Sequence, residues 1–184
     1  MNTHPLVAGI VKNRYLAYIY GPPGSGKTRL GVHFFKVASS LDMKPMFIAS
    51  EAGSIIVAES LGGEVRIAKA MDELPKYACE ALVKGMYVVV DTVNSFYRGD
   101  PDLYSRSFLA STLALIRLTG GLALGQASEL SGQITSPGLK LIKRYAKVVG
   151  YTTKIGEGKF KLVITKPKER IVLFKVEGDN IRWL

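Results

Sequence analysis

The sequence is poor in cysteine and histidine, and these shortages argue against two classes of protein. It contains one cysteine, Cys79, and two histidines, His4 and His33. A single cysteine cannot form an intramolecular disulfide, which excludes an internally disulfide-stabilised domain and suits a reducing cytoplasm. The histidines are far apart, and no His/Cys cluster has the spacing of a metal site. The sequence therefore predicts a cytoplasmic protein without a structural zinc centre.

Long apolar runs are also scarce. The most apolar stretch, residues 108–125, is interrupted by Arg117 and by the pair Gly120-Gly121. The uninterrupted part is too short for a transmembrane helix, which needs about 20 residues. The N-terminal residues lack the charged-then-apolar pattern of a secretory signal. We therefore expect no membrane partner.

Length and composition fit one globular domain whose charge is unevenly distributed. The chain has 184 residues, of which 47% are hydrophobic and 22% charged, so one domain over residues 1–184 can build a sizeable core. The net charge is +10, and residues 139–184 carry twelve Lys and Arg against four Asp and Glu. Such a basic segment indicates a polyanionic partner, most often nucleic acid. On charge alone, a solvated basic surface is the alternative.

The most specific motif is the glycine-rich segment at residues 21–28. Its sequence, Gly-Pro-Pro-Gly-Ser-Gly-Lys-Thr, matches G-x-x-x-x-G-K-[ST] between a predicted strand and a predicted helix. The glycines permit backbone angles that turn successive N–H groups toward an anion, and the N-terminus of the following helix adds partial positive charge. An ordinary Gly/Pro turn would not require the Lys-Thr pair. The segment therefore predicts a nucleoside triphosphate site, which we call the phosphate loop.

The residues of the phosphate loop have distinct expected roles. Lys27 is expected to reach the β- and γ-phosphates, and the Thr28 hydroxyl is expected to bind Mg²⁺. The predicted nucleotide-binding residues are Gly21, Pro22, Pro23, Gly24, Ser25, Gly26, Lys27, Thr28 and Arg29.

Three polar residues end three other predicted strands. Asp91 follows four apolar residues, a pattern typical of a carboxylate that holds Mg²⁺, although many buried strands end in a capping Asp. Because the carboxyl ends of parallel strands converge, Glu51 could polarise an attacking water. A solvent-facing glutamate is the alternative. Gln126 could bond the γ-phosphate and report its loss, or be an ordinary polar strand end.

The order of predicted elements indicates an α/β protein. The predicted strands cover residues 16–20, 46–49, 65–68, 86–91 and 121–125, and the predicted helices cover 27–41, 55–61, 72–84 and 105–118. Residues 127–138 are predicted to be a flexible loop, and a basic helical patch covers 139–145. Three β-like runs follow at 148–155, 160–165 and 171–176. We predict a three-layer α/β/α fold with a mainly parallel sheet and C-terminal antiparallel strands.

Taken together, these motifs resemble the ATPase core of the RecA/RadA recombinase superfamily. Within it, they are most similar to the short archaeal RadA paralogues of the RadB kind. The resemblance extends from residue 9 to 181 and rests on residues 21–28, 46–51, 88–92 and 122–126 in that order. It implies a RecA-like P-loop NTPase that binds ATP and Mg²⁺. It also implies that Glu51 is the catalytic carboxylate, Asp91 the Walker B acid and Gln126 the γ-phosphate sensor. Lys27 is expected to be a catalytic residue as well, through its contact with the phosphates.

The resemblance further implies that residues 94–107 and 127–138 are two DNA-facing loops. The first contains aromatic and basic side chains that can stack on bases and contact phosphates, and the basic patch at 139–145 follows the second. The predicted contacts to single-stranded DNA are Tyr97, Arg98, Arg106, Lys140, Lys143 and Arg144.

The chain departs from full RadA-type recombinases in three respects. It shows no N-terminal helical DNA-binding domain or filament-forming linker, residues 53–58 replace the arginine-bearing segment after the catalytic glutamate, and the second DNA-facing loop is poor in basic residues. We therefore expect a weak Mg²⁺-dependent ATPase that binds single-stranded DNA and assists or regulates a RadA-type recombinase at the nucleoid. The alternatives are a nucleotide-dependent scaffold that neither hydrolyses ATP nor binds DNA and, last, a small-molecule kinase, whose Arg-rich lid is not visible.

Overall fold

A nine-stranded sheet organises the protein. The computed structural model describes residues 3–130, 133–178 and 180–184, with residues 129 and 130 described by their backbone. The helices are α1 Pro5–Lys12, α2 Lys27–Ser40, α3 Ala52–Glu59, α4 Glu73–Val83, α5 Ser95–Gly99, α6 Leu103–Thr119 and α7 Leu139–Tyr145. The strands are β1 Leu16–Gly21, β2 Pro45–Ala49, β3 Glu64–Ile67, β4 Tyr87–Asp91, β5 Gly121–Gln126, β6 Ser128–Leu130, β7 Gln133–Thr135, β8 Val148–Gly156, β9 Lys159–Lys166, β10 Arg170–Glu177 and β11 Asn180–Trp183.

The main sheet is parallel over most of its width. Its strand order is β11-β10-β9-β8-β1-β5-β4-β2-β3. The six strands from β8 to β3 are mutually parallel, whereas β9, β10 and β11 extend the sheet in antiparallel pairs. Because parallel strands point the same way, the chain leaves β1, β2, β4 and β5 at one edge, which we call the carboxyl edge.

Helices cover both faces of the parallel region. Helices α1, α2 and α3 belong to the core that contains Phe34 and Phe47, and α4, α6 and α7 belong to the core that contains Leu113 and Ile142. Strand β1 is buried along its whole length, which explains why it has no polar alternation. The protein is thus an α/β structure with a mostly parallel central sheet, helices on both faces and C-terminal antiparallel strands, as the sequence predicts.

The longest helix, α6, spans 17 residues and buries Leu109, Leu113 and Ile116. It packs against α4 and α7 on the same face of the sheet. Arg106 and Arg117 interrupt its sequence. Within the described ranges, no helix is both long and apolar enough to cross a membrane.

The structure differs from the predicted elements at several short segments. Helices α1 and α5 and strand β11 are not predicted, because elements of four to eight residues carry little periodicity of their own. The predicted flexible loop at residues 127–138 contains the paired strands β6 and β7, although its residues 131–132 lie outside the described part. Helix α4 begins one residue later than predicted, with Asp72 at its N-cap and without a side-chain capping bond.

Candidate functional site: the phosphate loop and the carboxyl edge

The phosphate loop depends on glycine for its shape. Gly24 and Gly26 have φ angles of 72° and 84°, which other residues rarely adopt. Gly26 is the N-cap of α2, so the unpaired N–H groups of the first helical turn face the loop. At Gly21, a Cβ atom would lie 2.5 Å from the carbonyl oxygen of Thr152. The result is a backbone cradle suited to a phosphate group.

Lys27 points into this cradle. The residue is 9% exposed, and its Nζ donates hydrogen bonds to the carbonyl oxygens of Gly21 and Pro22, each at 2.8 Å. Burial lowers the pKa of Lys27, and the nearby Asp91 carboxylate opposes this shift. The ammonium group is therefore positioned inside the loop and held there by main-chain oxygens.

Thr28 and Asp91, the two predicted metal ligands, meet at the carboxyl edge. Thr28 Oγ1 donates a hydrogen bond to Asp91 Oδ2 over 2.7 Å, and Thr92 Oγ1 donates to Asp91 Oδ1 over 3.2 Å. Asp91 is 2% exposed, and burial raises the pKa of its carboxyl against the opposing effect of these hydrogen bonds. A hydroxyl and a carboxylate this close match the oxygen ligands that Mg²⁺ takes beside nucleotide phosphates.

Glu51 lies beside the same edge and is paired with Arg98. It follows β2, whose last residue, Ala49, is in register with Asp91. Arg98 Nη2, from α5, lies 3.0 Å from Glu51 Oε1, and about a third of each side chain is exposed, 38% and 32%. Both groups are close enough to affect the pKa of Lys27. The predicted catalytic carboxylate is therefore near the phosphate loop but engaged by a predicted DNA contact.

Two serines fix the backbone between Glu51 and Asp91. The Ser50 N–H and the Ser54 hydroxyl both donate to the Asp91 carbonyl oxygen, at 2.9 and 2.7 Å. Ser50 Oγ also accepts the Thr92 N–H at 2.9 Å. Sequence reasoning missed both serines, since neither a serine after a strand, such as Ser50, nor one in the first turn of a helix, such as Ser54, forms a recognisable pattern. They hold the ends of β2 and β4 in one arrangement.

Gln126, the predicted γ-phosphate sensor, ends β5 next to the phosphate loop. It is in register with Gly21 across the β1–β5 pair. Its N–H donates to Asn94 Oδ1 at 3.0 Å, and its carbonyl oxygen accepts from Asn94 Nδ2 at 3.1 Å. Contacts made by its backbone therefore fix the position of Gln126, with its side chain half-buried.

A cavity of about 290 Å³, the phosphate-loop cavity, opens in front of the loop. It is lined by residues 24–29, by Phe160 of β9 and by Val176 of β10. Gly21, Pro22 and Pro23 come before the lining residues in the sequence. The carbonyl oxygens of Gly21 and Pro22 accept hydrogen bonds from Lys27, which is one of the lining residues. Sequence reasoning missed Phe160 and Val176, because strand pairing alone brings them to the loop.

A second cavity, of about 510 Å³, lies beside α7 and is called the α7 cavity. Its lining residues are Tyr97, Arg106, Ser136, Gly138, Leu139, Lys140, Leu141 and Arg144. Four of the six predicted DNA contacts thus share one cavity. The structure places the other two elsewhere: Arg98 bonds Glu51, and Lys143 does not line this cavity.

Asn94 connects the two sites. It is fully buried, and its Nδ2 donates both to the Gln126 carbonyl oxygen and to Ser136 Oγ, each at 3.1 Å. Ser136 lines the α7 cavity and is also bonded to the hydroxyl of Tyr18 at 2.5 Å. A buried amide thus ties the strand end beside the phosphate loop to the wall of the α7 cavity.

The donor set fits a magnesium-bound nucleoside triphosphate. The cradle offers backbone N–H groups and an ammonium group for phosphate, and the Thr28 hydroxyl and Asp91 carboxylate are spaced to share a cation. Within the described residues, no group of three or more His, Cys, Asp or Glu forms a site for a metal ion by itself.

Comparisons with known proteins assign no family to the chain. No protein-family model matches it, and no curated protein shows significant similarity to it. The functional argument therefore depends on the geometry of the phosphate loop, the carboxyl edge and the α7 cavity.

Proposed function

We propose that the protein is a RecA/RadA-like P-loop ATPase of the cytoplasm that binds single-stranded DNA and assists or regulates a RadA-type recombinase at the nucleoid. The observation that carries this proposal is the meeting of Lys27, Thr28 and Asp91 at the carboxyl edge. The α7 cavity, with three cationic side chains and Tyr97 in its lining, supports the DNA half. The sheet order, with the phosphate loop after a central strand, supports the RecA-like fold.

Each residue of the nucleotide site would have a distinct role in phosphoryl transfer. Bound Mg²⁺·ATP supplies the γ-phosphoryl group and a cation that neutralises its oxygens. Lys27 exchanges the Gly21 and Pro22 carbonyl oxygens for phosphate oxygens, so the charge is already placed when the nucleotide binds. Thr28 and Asp91 would hold the cation, and Glu51 would accept a proton from the attacking water as the bond between the γ-phosphorus and the oxygen of the leaving ADP breaks.

The Arg98–Glu51 ion pair would couple DNA binding to ATP hydrolysis. While Arg98 Nη2 is bonded to Glu51 Oε1 at 3.0 Å, that carboxylate oxygen is occupied and is less available to accept a proton from water. A DNA phosphate could compete for the same guanidinium, because arginine binds phosphate and carboxylate with one planar geometry. We therefore expect slow basal turnover that single-stranded DNA increases.

Measurements of ATP binding and turnover on two variants test the nucleotide site. Lys27→Ala should lose most ATP affinity, because the ammonium group that meets the phosphates is gone. Glu51→Gln should still bind ATP but hydrolyse it at least about a hundredfold more slowly, the usual contribution of a positioned base. Unchanged ATP affinity in the lysine variant would reject the site, and undiminished turnover in the glutamine variant would remove Glu51 as the base.

ATPase assays with and without oligo(dT) test the coupling. Arg98→Ala should raise basal turnover and abolish stimulation by oligo(dT). Arg98→Lys should keep part of the restraint on basal turnover and part of the stimulation, because the charge remains. Basal turnover that is unchanged in Arg98→Ala would show that the ion pair does not restrain Glu51.

The occupied carboxylate of Glu51 also favours a second candidate function. A protein whose base stays bound to Arg98 would act as a nucleotide-dependent scaffold, through protein contacts and without hydrolysis or DNA binding. ATP binding without turnover, and without affinity for oligo(dT) at low salt, would select this candidate over the first.

A further inference from the structure

The antiparallel strands β9, β10 and β11 bury one face and expose the other. Phe160, Phe174 and Ile181 belong to the core shared with α1 and α2. Because side chains alternate along a strand, the neighbouring residues point to the opposite side. We call this side the outer β-face and define it by Lys159, Lys161, Ile171, Leu173, Lys175 and Arg182.

Three cations of the outer β-face lie in one row across three strands. Lys159 is directly opposite Lys175, and Lys175 is directly opposite Arg182. Like charges placed opposite each other destabilise a sheet. Glu177 lies 3.2 Å from Lys175 and 4.0 Å from Arg182, so one carboxylate serves two of the three cations, and within the described residues no acidic side chain forms an ion pair with Lys159. This arrangement favours an anionic partner that would relieve the repulsion.

Aliphatic side chains lie beside the cations. Ile171 and Leu173 are 58% and 37% exposed, and Leu173 is directly opposite Lys161. Single-stranded nucleic acid is usually bound by aromatic side chains on which bases stack, and the outer β-face presents aliphatic ones. Exposed Ile and Leu side chains between cations are instead complementary to a partner segment whose apolar side chains are flanked by carboxylates.

We propose that the outer β-face binds an acidic amphipathic segment of a partner protein. Carboxylates of the segment pair with Lys159, Lys161 and the neighbouring row, while its apolar side chains cover Ile171 and Leu173. A second copy of this chain is a poor occupant, because its net charge is also +10. The contact requires neither ATP nor DNA, so it is independent of the function proposed above.

Binding of a synthetic probe tests this contact without nucleotide. The probe is a fluorescent amphipathic helix with a leucine stripe flanked by glutamates, measured by anisotropy. Lys159→Glu/Lys161→Glu and Ile171→Ser/Leu173→Ser should each weaken its binding at least about tenfold. The matched control Lys140→Glu/Arg144→Glu, which changes charge by the same amount in the α7 cavity, should weaken probe binding much less, through net charge alone. A second probe with lysine in place of glutamate should not bind.

Two results would overturn the proposal. If the Ile171→Ser/Leu173→Ser variant binds the probe as well as wild type does, the contact is charge attraction alone. If the Lys159→Glu/Lys161→Glu variant loses oligo(dT) affinity as strongly as the α7-cavity variant, the face is a nucleic-acid surface. Misfolding is checked with Lys159→Glu alone, which places a carboxylate opposite Lys175 and should leave the thermal midpoint unchanged or raised. Neither result bears on ATP binding.

Discussion

Gly125 allows the Tyr18 hydroxyl to reach the wall of the α7 cavity. A Cβ atom at Gly125 would overlap the Tyr18 hydroxyl and crowd its ring. That hydroxyl bonds Ser136 Oγ, which in turn donates to the Gln126 carbonyl oxygen at 3.1 Å. Burial raises the pKa of Tyr18, so the hydroxyl keeps its proton and donates it to Ser136 Oγ, whose own proton goes to Gln126. The absence of a side chain at Gly125 thus lets the hydroxyls of Tyr18 and Ser136 lie beside Gln126.

Replacing this glycine should cost stability. Gly125→Ala is expected to lower the free energy of unfolding by about 1–3 kcal/mol, the usual penalty of overpacking a core, because the Tyr18 ring must move. The control Gly9→Ala lies in α1, where a Cβ would meet nothing within 4 Å. That change should raise stability by up to about 1 kcal/mol. Urea unfolding of both variants measures the difference, and equal stabilities would contradict the crowding at Gly125.

Between elements, α2 and β11 are joined by a buried histidine. His33 is 4% exposed, and its Nε2 accepts the indole N–H of Trp183 at 3.3 Å, with the rings in an edge-on contact. Burial, helped by the positive charge of Lys36, lowers the pKa of His33 to about 4. Only the neutral imidazole can accept this bond, so the edge strand β11 docks on α2 while His33 is neutral.

Stability should therefore fall as pH decreases from 7 to 5. An unfolded histidine with a pKa of about 6.5 binds a proton in this range while the folded one does not, so protonation favours the unfolded chain and the free energy of unfolding decreases by about 2 kcal/mol. His33→Gln keeps an acceptor for Trp183 but does not titrate. Urea unfolding at both pH values should show a smaller loss in the variant. An equal loss would place the titrating group elsewhere.

Elements with strong patterns could be predicted from the sequence, and those defined by a partner could not. The buried parallel strands carry continuous apolar runs, so β1, β2, β4 and β5 were predictable, as were α2, α3, α4 and α6 between them. Strand β11 has four residues and exists only by pairing with β10. The same distinction holds within the site. The phosphate loop is one contiguous motif, whereas Phe160 and Val176 reach its cavity through strand pairing, which no local spacing encodes.

At the scale of the whole molecule, the positive charge is divided between two surfaces. The α7 cavity carries Arg106, Lys140 and Arg144 in its lining, and the outer β-face carries its row of cations on three strands. Net charge alone gave one expectation, a polyanionic partner. The structure separates that expectation into two surfaces with different neighbours. Tyr97 lies among the cations of the first, and exposed Ile171 and Leu173 lie among those of the second. Each surface makes a different ligand testable.

Salt dependence tests whether the cations of the α7 cavity contact DNA. Each contact between a cation and a phosphate of single-stranded DNA contributes about 0.7 to the slope of log affinity against log salt, through counterion release. Lys140→Glu/Arg144→Glu should therefore reduce the slope for oligo(dT) by about 1.4. The control Lys12→Glu/Lys44→Glu changes charge equally at exposed positions before and after α2 and should shift affinity with little change in slope. Equal slopes in the two variants would mean that oligo(dT) responds to the net charge of the molecule and that the α7 cavity is not its site.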